Sequence, residues 1–291
     1  MRRFFIIIPV HNRLEYTIAC LNSIHTQTRA GVIVIVVDDG SRDGTGEAIR
    51  KDFPDAVLLR GDGNLWFTAS VNLGLEYALE TAADEDYALI INNDTVIDSN
   101  FLVTLEKSVE AHPDALIGAV LLNREDKQTI LDGGVYYHRI KNRFHSYNSG
   151  RKISEFNRDY RHDAELLPTR GLAIPVRVVK EIGGFDAKNF PQRASDYDFT
   201  LRAREKGYRL IVDYSCRVYS ESDFGTTPSN TRMSFLQFLR SFGDLRSSYH
   251  LKTFLRFGIK HFKEYRLFIP VFLCRLLLGA TRMYISSVLK K

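Results

Sequence analysis

Cysteine is scarce in this 291-residue chain: Cys20, Cys216 and Cys274 are odd in number and far apart. That excludes a disulfide framework and a paired zinc-type spacing, and it points to a reducing compartment. No uncharged apolar run approaches the ~18 residues of a membrane-spanning helix, because Arg266, Arg275 and Arg282 interrupt the most hydrophobic stretch. The start, Met1-Arg2-Arg3 and then Phe4 to Ile8, has the outline of a signal peptide, yet it runs into Pro9-Val10-His11-Asn12-Arg13 without a small-residue cleavage site. It reads as a buried first strand. That strand does not lead into G-x-G-x-x-G, which argues against a nicotinamide dinucleotide site. Internal repeats and low-complexity segments are absent as well.

What the chain does have is apolar residue, 44% of the total, enough for a substantial core. The expectation is one large domain, residues 1–225, with an appendage, residues 226–291. Net charge is +5, but from Leu245 onward ten Lys/Arg face a single acid, Glu264, so the part before it holds 30 basic and 34 acidic residues, a balance of −4. A basic tail can meet nucleic acid or an anionic membrane. Apolar residues interleaved with the charges favour the membrane, and nucleic acid is not expected as a partner.

Within the tail, Phe235, Leu236, Phe238, Leu239 and Phe242 repeat at helical spacing, and Lys252, Arg256, Lys260 and Lys263 add a basic face. For the first of these helices, packing on the main domain is as good an explanation as membrane contact. Leu267 to Leu278 combines dense apolar residues with Arg266, Arg275 and Arg282, whose long stems let charges stay at headgroups. The location implied is cytoplasmic, peripheral on the inner face of the cell membrane.

Phe4 to Ile8 and Val32 to Val37 are β-branched and aromatic runs of the kind buried in parallel sheets, and Leu14, Ile18, Leu21 and Ile24 between them repeat at helical spacing. A β-α-β unit follows. Further strands are expected at Ala56 to Leu59 and Tyr87 to Ile91, with helices around Val71 to Leu79, Ser99 to Glu110, Val176 to Ile182 and Asp196 to Lys206. Gly133 to Asp163 is irregular and rich in Tyr, Arg, Asn and His, which suggests a hairpin and a mobile loop. The alternation predicts an α/β fold with an open, doubly wound sheet, whose ligands bind beyond the carboxyl ends of the strands. There the polar strand ends His11-Asn12, Asp38-Asp39 and Asn92-Asn93-Asp94 should converge on one crevice.

Each cluster admits a structural reading beside a functional one. Asn12 can cap the next helix or contact a nucleoside. Asp38 and Asp39 precede Gly40-Ser41-Arg42-Asp43-Gly44-Thr45, an Asx-type turn; the second acid is harder to explain that way, and Asp39 is assigned to a base or ribose donor. Gly61 to Gly74 is a loop entering a helix, or a close backbone approach to a ligand in which Asn64 and Asn72 bond a base or ribose. Asp94 can cap a turn, or supply the one carboxylate that Mg²⁺ or Mn²⁺ needs when a diphosphate and water complete its shell. Asp198 and Arg202, four apart, pair along a helix face. Asp196 is a helix cap, or a carboxylate kept ionised by a helix N-terminus and ready to take an acceptor-hydroxyl proton. Arg170 and Gly171, after Pro168-Thr169, form a turn or an acceptor wall, and Arg170 can meet a phosphate.

In order, these pieces resemble the inverting family-2 glycosyltransferases of the GT-A fold, over residues 4–220. The resemblance is carried by Pro9 to Arg13, Asp38 to Thr45, Asn92 to Asp94, Thr169-Arg170-Gly171, and Gly183-Gly184-Phe185-Asp186 ahead of Asp196. It implies a mostly parallel, mixed sheet flanked by helices, with a C-terminal helical appendage. Pro9, His11, Asn12, Asp39, Asn64, Asn72, Asn93 and Asp94 would bind the nucleotide sugar, with Asp94 on a divalent cation. Arg170 and Gly171 would face the acceptor, and Asp196 would be the general base. The chain is similar to members that build bacterial surface polysaccharides, including rhamnosyltransferase-like enzymes; the implied partners are a nucleoside-diphosphate sugar and a saccharide acceptor, lipid-linked in such pathways. It departs from the family in three places: Asn92-Asn93-Asp94 stands where an Asp-X-Asp motif is common, Ser195 where Glu often precedes the base, and no His occurs around Val218-Tyr219-Ser220.

Two other functions compete. A sugar-phosphate nucleotidyltransferase also uses an α/β nucleotide site, but no Gly-rich phosphate loop with basic residues follows the first strand. A catalytically inactive nucleotide-sugar-binding module would account for the thinned metal motif.

Overall fold

A computed structural model describes residues 2–27, 29–138, 143–221, 234–247, 250–262 and 268–289. The first half alternates strand and helix: β1 (Phe4–Val10), α1 (Leu14–His25), β2 (Val32–Asp38), α2 (Thr45–Asp52), β3 (Val57–Arg60), α3 (Trp66–Leu79) and β4 (Tyr87–Ile90). Next come β5 (Val96–Ile97), α4 (Phe101–Ala111), β6 (Ala115–Asn123), β7 (Ile130–Asp132), a hairpin of β8 (Val135–His138) and β9 (Arg143–Ser146), β10 (Arg161–Asp163), β11 (Leu172–Pro175), α5 (Val176–Ile182), α6 (Ser195–Glu205) and β12 (Arg209–Ser220). The tail holds α7 (Phe235–Ser241), α8 (Leu251–His261) and α9 (Phe268–Leu289).

The main sheet runs β10-β12-β6-β11-β4-β1-β2-β3, with β5 on β12 and β7 on β6. β1 is parallel to β2 and β4, and β2 to β3, while β11 is antiparallel to both β4 and β6. Two reversals leave β6 pointing the same way as β4. The carboxyl ends of β1, β2, β3, β4 and β6 therefore share one edge, the placement that α/β ligand sites use.

The apolar run of β1 is continuous because both its faces are covered. Phe5 and Ile7 pack with Val71 and Leu75 of α3, and Phe4, Ile6 and Ile8 pack with Leu21 and Ile24 of α1. Pro9 fits this central strand because it lies past the last β1–β4 rung, Ile7 with Ile90, where its missing N–H breaks no ladder bond.

The α3 helix begins at Trp66, five residues before the expected start at Val71. Its early N–H groups are met by distant partners and no local cap: Asp39 Oδ2 accepts from Trp66, Gln192 Oε1 from Phe67 and the Pro191 carbonyl from Thr68. Sequence spacing carries no trace of such bonds. In the irregular segment, the hairpin forms as expected.

The tail is joined to this body through α8. Asp198 on α6 is fully buried and receives Arg202 Nε at 3.0 Å, Lys260 Nζ at 2.6 Å and His261 Nε2 at 2.8 Å. The Asp198–Arg202 pair is the one expected from spacing. Lys260 also bonds Asp186 Oδ2 at 2.9 Å. Phe257, buried, lies 5.9 Å from both Phe190 and Phe144, and Phe262 lies 4.7 Å from Tyr137 of the hairpin. α7 packs on α9, with Phe238 5.1 Å from Tyr284. Its Phe235, Leu236 and Leu239 are exposed, as are Leu277 and Leu278 of α9. Among the described residues no helix is long and apolar enough to cross a membrane. Lys263, Arg266 and Leu267 lie outside the described residues, as does the side chain of Arg275.

Candidate functional site

On the β1–β3 side, three loops are stitched together by their own polar side chains. Asn12 and Arg13 are both left-handed (φ 58° and 64°), which turns the chain sharply from β1 into α1. Asn12 N–H donates to Ser41 Oγ at 2.7 Å, and Asn12 Oδ1 accepts from Arg42 N at 2.9 Å. Asn12 thus pins the neighbouring loop. Asp38 Oδ1 accepts from Ser41 N at 2.9 Å, closing the Asx-type turn. His11 is exposed, and its Nδ1–H donates to the Asp39 carbonyl at 2.6 Å, which leaves Nε2 outside that bond.

Asp39, buried, spends one oxygen on Gly63 N (2.8 Å) and the other on Trp66 N (3.0 Å). It shapes the Gly61-to-Trp66 loop, and each oxygen retains a second lone pair for a ligand. A β-carbon on Gly61 would sit 2.6 Å from Asp39 Oδ1, so this approach requires glycine. Asn64 is exposed at the loop tip.

Four of the residues read as binding or acceptor-side residues have contacts within the scaffold. Pro9 is buried within β1. Asn72 spends both ends of its amide on Phe185, donating from Nδ2 to its carbonyl and accepting its N–H on Oδ1, each at 2.8 Å. It ties α3 to the loop of Gly183 to Asp186. Asn93 Nδ2 donates to Thr17 Oγ1 at 3.0 Å, toward α1. Gly171 is buried in the sheet, its N–H on the Ile90 carbonyl at 3.0 Å, and its φ of +84° and the 2.8 Å to Ala119 Cβ that a side chain would meet account for glycine there.

Asp94, buried after β4, pairs through Oδ2 with Arg13 Nη1 at 3.2 Å. Arg13 is a functional candidate that local sequence did not reveal, since its partner is 81 residues away. Among the described residues no three His, Cys, Asp or Glu side chains converge as a metal cluster. Two residues before Asp94, however, Asn92 Oδ1 is buried without a hydrogen-bond partner. One carboxylate and one orphaned carbonyl oxygen are hard donors, and they fit a cation that takes most of its ligands from a diphosphate and water.

On the β6–β11 side, Asp196 opens α6 behind a left-handed Ala194, with its Oδ1 accepting from Tyr197 N at 2.9 Å. Desolvation by the surrounding protein raises the Asp196 pKa above the ordinary carboxylate value, while the Tyr197 N–H and the Arg170 charge pull it back. The same electrostatic neighbourhood includes Asp132 at the end of β7, which sequence patterning missed because a three-residue strand has no periodicity to read. Desolvation pushes Asp132 up to about 6, with the Asp196 charge adding to the rise and Gly134 N–H, Ser146 and Arg170 opposing it. Tyr197 is raised by burial and by both carboxylates. Arg193 closes the margin, donating to the Arg246 carbonyl at 2.7 Å, and the Arg246 guanidinium lies 5.5 Å over the Trp66 ring.

A strand edge with an oxygen-donor site on one side and two carboxylates under the charge of Arg170 on the other suits transfer between two ligands. Comparison with known proteins agrees. Residues 5–161 match the model of glycosyl transferase family 2. Glycosyltransferase GlyA of Streptococcus pneumoniae serotype 4 is 31% identical over 137 residues, covering 46% of this chain and 18% of that protein. The chain thus spans about a fifth of that relative. In structure it is similar to the mannosyltransferase PcManGT from Pyrobaculum calidifontis, in complex with GDP-Man and Mn²⁺, at TM-score 0.57 and 17% identity over 99% of this chain and 73% of that one. It is also similar to GalNAc-T7 with UDP, GalNAc and Mn²⁺, at TM-score 0.60 and 11% identity over 89% and 57% of the two chains. These likenesses establish the GT-A fold.

Proposed function

The chain belongs to glycosyl transferase family 2, whose model covers more than half of it, and from that premise we propose that it moves a sugar from a nucleoside-diphosphate donor to an acceptor hydroxyl with inversion at the anomeric carbon. The observation that carries this reading is Asp196: a half-buried carboxylate at a helix start, which takes backbone hydrogen bonds from Tyr197 and from Thr169 just ahead of β11 and whose pKa is raised by desolvation.

In this reading the His11, Asn12 and Asp39 loops receive the nucleoside, and Arg13 donates to the diphosphate. Asp94 and Asn92 would hold a divalent cation, which supplies charge neutralisation for the leaving diphosphate when bound. Asp196 takes the proton from the acceptor hydroxyl as that oxygen attacks from the opposite face, so a single displacement inverts the centre. The Arg170 charge opposes the desolvation that raises the Asp196 pKa. Residues 1–225 form the catalytic unit and residues 226–291 the appendage.

The test is to incubate the full chain with UDP-, GDP- and dTDP-sugars, with and without Mn²⁺, and a mixture of saccharide acceptors, and to determine the anomeric configuration of the product by NMR. An inverted glycoside supports the reading. A retained configuration, or no release of nucleoside diphosphate from any donor, overturns it.

The acceptor class proposed is a saccharide of bacterial surface polysaccharide assembly, carried on lipid. Support comes from the exposed apolar residues of α7 and α9 beside the basic tail, a combination suited to an anionic bilayer at the inner face of the cell membrane. Co-sedimentation of the full chain with anionic vesicles at low salt, and its loss with neutral vesicles, is the expected result; equal binding to both rejects the charge-guided part.

A further inference from the structure

We propose that Arg13 is the exchangeable counter-ion of Asp94: Arg13 and a divalent cation take the same carboxylate in turn, and the guanidinium that the cation displaces passes to the diphosphate. The proposal rests on the transfer reading above and deepens it, because it makes cation and nucleoside diphosphate bind as a coupled pair, each favouring the other.

The carboxylate has one approachable oxygen. Asp94 Oδ1 lies on the buried side, 3.5 Å from the Thr95 hydroxyl, and Oδ2 takes Arg13 Nη1 at 3.2 Å. A cation bound to Oδ2 at about 2.1 Å would stand no more than ~5 Å from that nitrogen. At such a separation beside a buried carboxylate like charges repel strongly, so the two partners exclude one another.

Arg13 is anchored by its backbone and held lightly by its side chain. The backbone is left-handed at φ 64°, a conformation that L-residues adopt at a cost, and its carbonyl accepts from Thr17 N and Thr17 Oγ1, each at 3.0 Å. Asn12, left-handed before it, is pinned by Ser41 and Arg42. Strain held by this much bonding marks a placed side chain, and the placement carries Arg13 across 81 residues of chain order to Asp94. The side chain itself is 54% exposed, and among the described residues Asp94 is its sole hydrogen-bond partner. One such bond, open to water on the arginine side, is readily given up.

The guanidinium is also an incomplete partner for the site. Asn92 Oδ1, buried two residues before Asp94, has no hydrogen-bond partner, and an arginine on Asp94 leaves it unmet. A hard divalent ion can take both oxygens where Arg13 takes one. Without a diphosphate, that ion must displace a positive charge and leave it close by. With a diphosphate, the displaced guanidinium gains charge-assisted bonds to phosphate oxygens. Cation affinity therefore rises when the diphosphate is present, and by linkage diphosphate affinity rises equally with the cation.

The experiment reads binding and needs no turnover. Free Mn²⁺ is followed by electron paramagnetic resonance in titrations of the full chain, Arg13→Gln and Arg13→Lys, first without nucleotide and then with UDP, GDP or dTDP. Without nucleotide, Arg13→Gln should bind Mn²⁺ about fivefold more tightly than wild type, and Arg13→Lys, which keeps the charge, should match wild type. With Mn²⁺ present, the order should reverse for the nucleoside diphosphate, which Arg13→Gln should hold about tenfold more weakly. If Arg13→Gln is unstable, Arg13→Gly takes its place, because glycine suits the left-handed backbone, and the same reversal is expected of it. Mn²⁺ binding by Arg13→Gln that is no tighter than wild type, Arg13→Lys behaving as Arg13→Gln does, or a nucleotide affinity unchanged by the loss of Arg13 overturns the proposal. Failure of the transfer reading looks different: wild type then binds none of these nucleotides and releases none from any donor sugar, and the proposal falls with it, whereas a wrong Arg13 assignment leaves both intact.

Discussion

The two sides of the crevice are built differently. The β1–β3 side is local: Asn12, Asp38 and Asp39 each bond a loop within 30 residues of themselves, and the loops fix one another before any ligand arrives. The β6–α6 side is assembled from afar, with Asp132, Arg170 and Asp196 delivered by three separate elements and α6 itself held by α8. Local construction gives a rigid set of loops, to which the proposed function assigns the donor. Long-range construction makes the side assigned to the acceptor depend on the whole chain.

The largest test of this difference is the Asp198 cluster. Asp198→Ala leaves Lys260, Arg202 and the buried His261 without their shared carboxylate, and removing one partner of such a network costs about 3–5 kcal/mol. The thermal midpoint should fall, and acceptor-side activity with it, while no change in stability would show that α8 merely rests on α6. Burial pushes Asp198 up, but the bonds from His261 and Lys260 and the Arg202 charge outweigh it and hold the carboxyl below its usual value. Its stabilisation is thus present at neutral pH and fades as acid protonates it, so wild type and variant should converge in stability on acidification below about pH 4.

Asp196→Asn comes next. It removes the base and spares the donor cradle, so transfer should fall by ~10² or more with donor affinity unchanged in calorimetry. Near-wild-type transfer by purified variant would end the assignment. The smallest effect is expected for Asp94→Ala, which strikes the donor side alone: the Mn²⁺ enhancement of nucleoside-diphosphate binding should drop by about tenfold, or ~1.4 kcal/mol. An enhancement identical to wild type would move the cation elsewhere.

Legibility in the sequence follows the same divide. The β1-α1-β2 unit was readable because β1 is covered on both faces and its apolar run has no gaps. The Asp38 turn was readable because its partner is three residues on. The scaffold role of Asn72 is not legible, because its partner, Phe185, is 113 residues away, and nothing local distinguishes a clamp from a contact. Arg13 went unassigned for the same reason, and Asp132 gains meaning only from the strand pairing that sets β7 on β6. Asp196 was placed because helix starts have a local signature, whereas the guanidinium that tunes it does not.

The link between Asp198 and the pair Lys260 and His261 spans more than sixty residues of chain order. A protein made from its N-terminus presents α6 to the solvent well before α8 exists. Until residue 261 has left the ribosome, the carboxylate of Asp198 has only Arg202 to meet it and α6 has nothing from the tail to close over it. The β1–β3 loops can form early in synthesis, and the β6–α6 side is completed last, so a chain released short of α8 would carry the side that the proposed function assigns to the donor without a finished partner side.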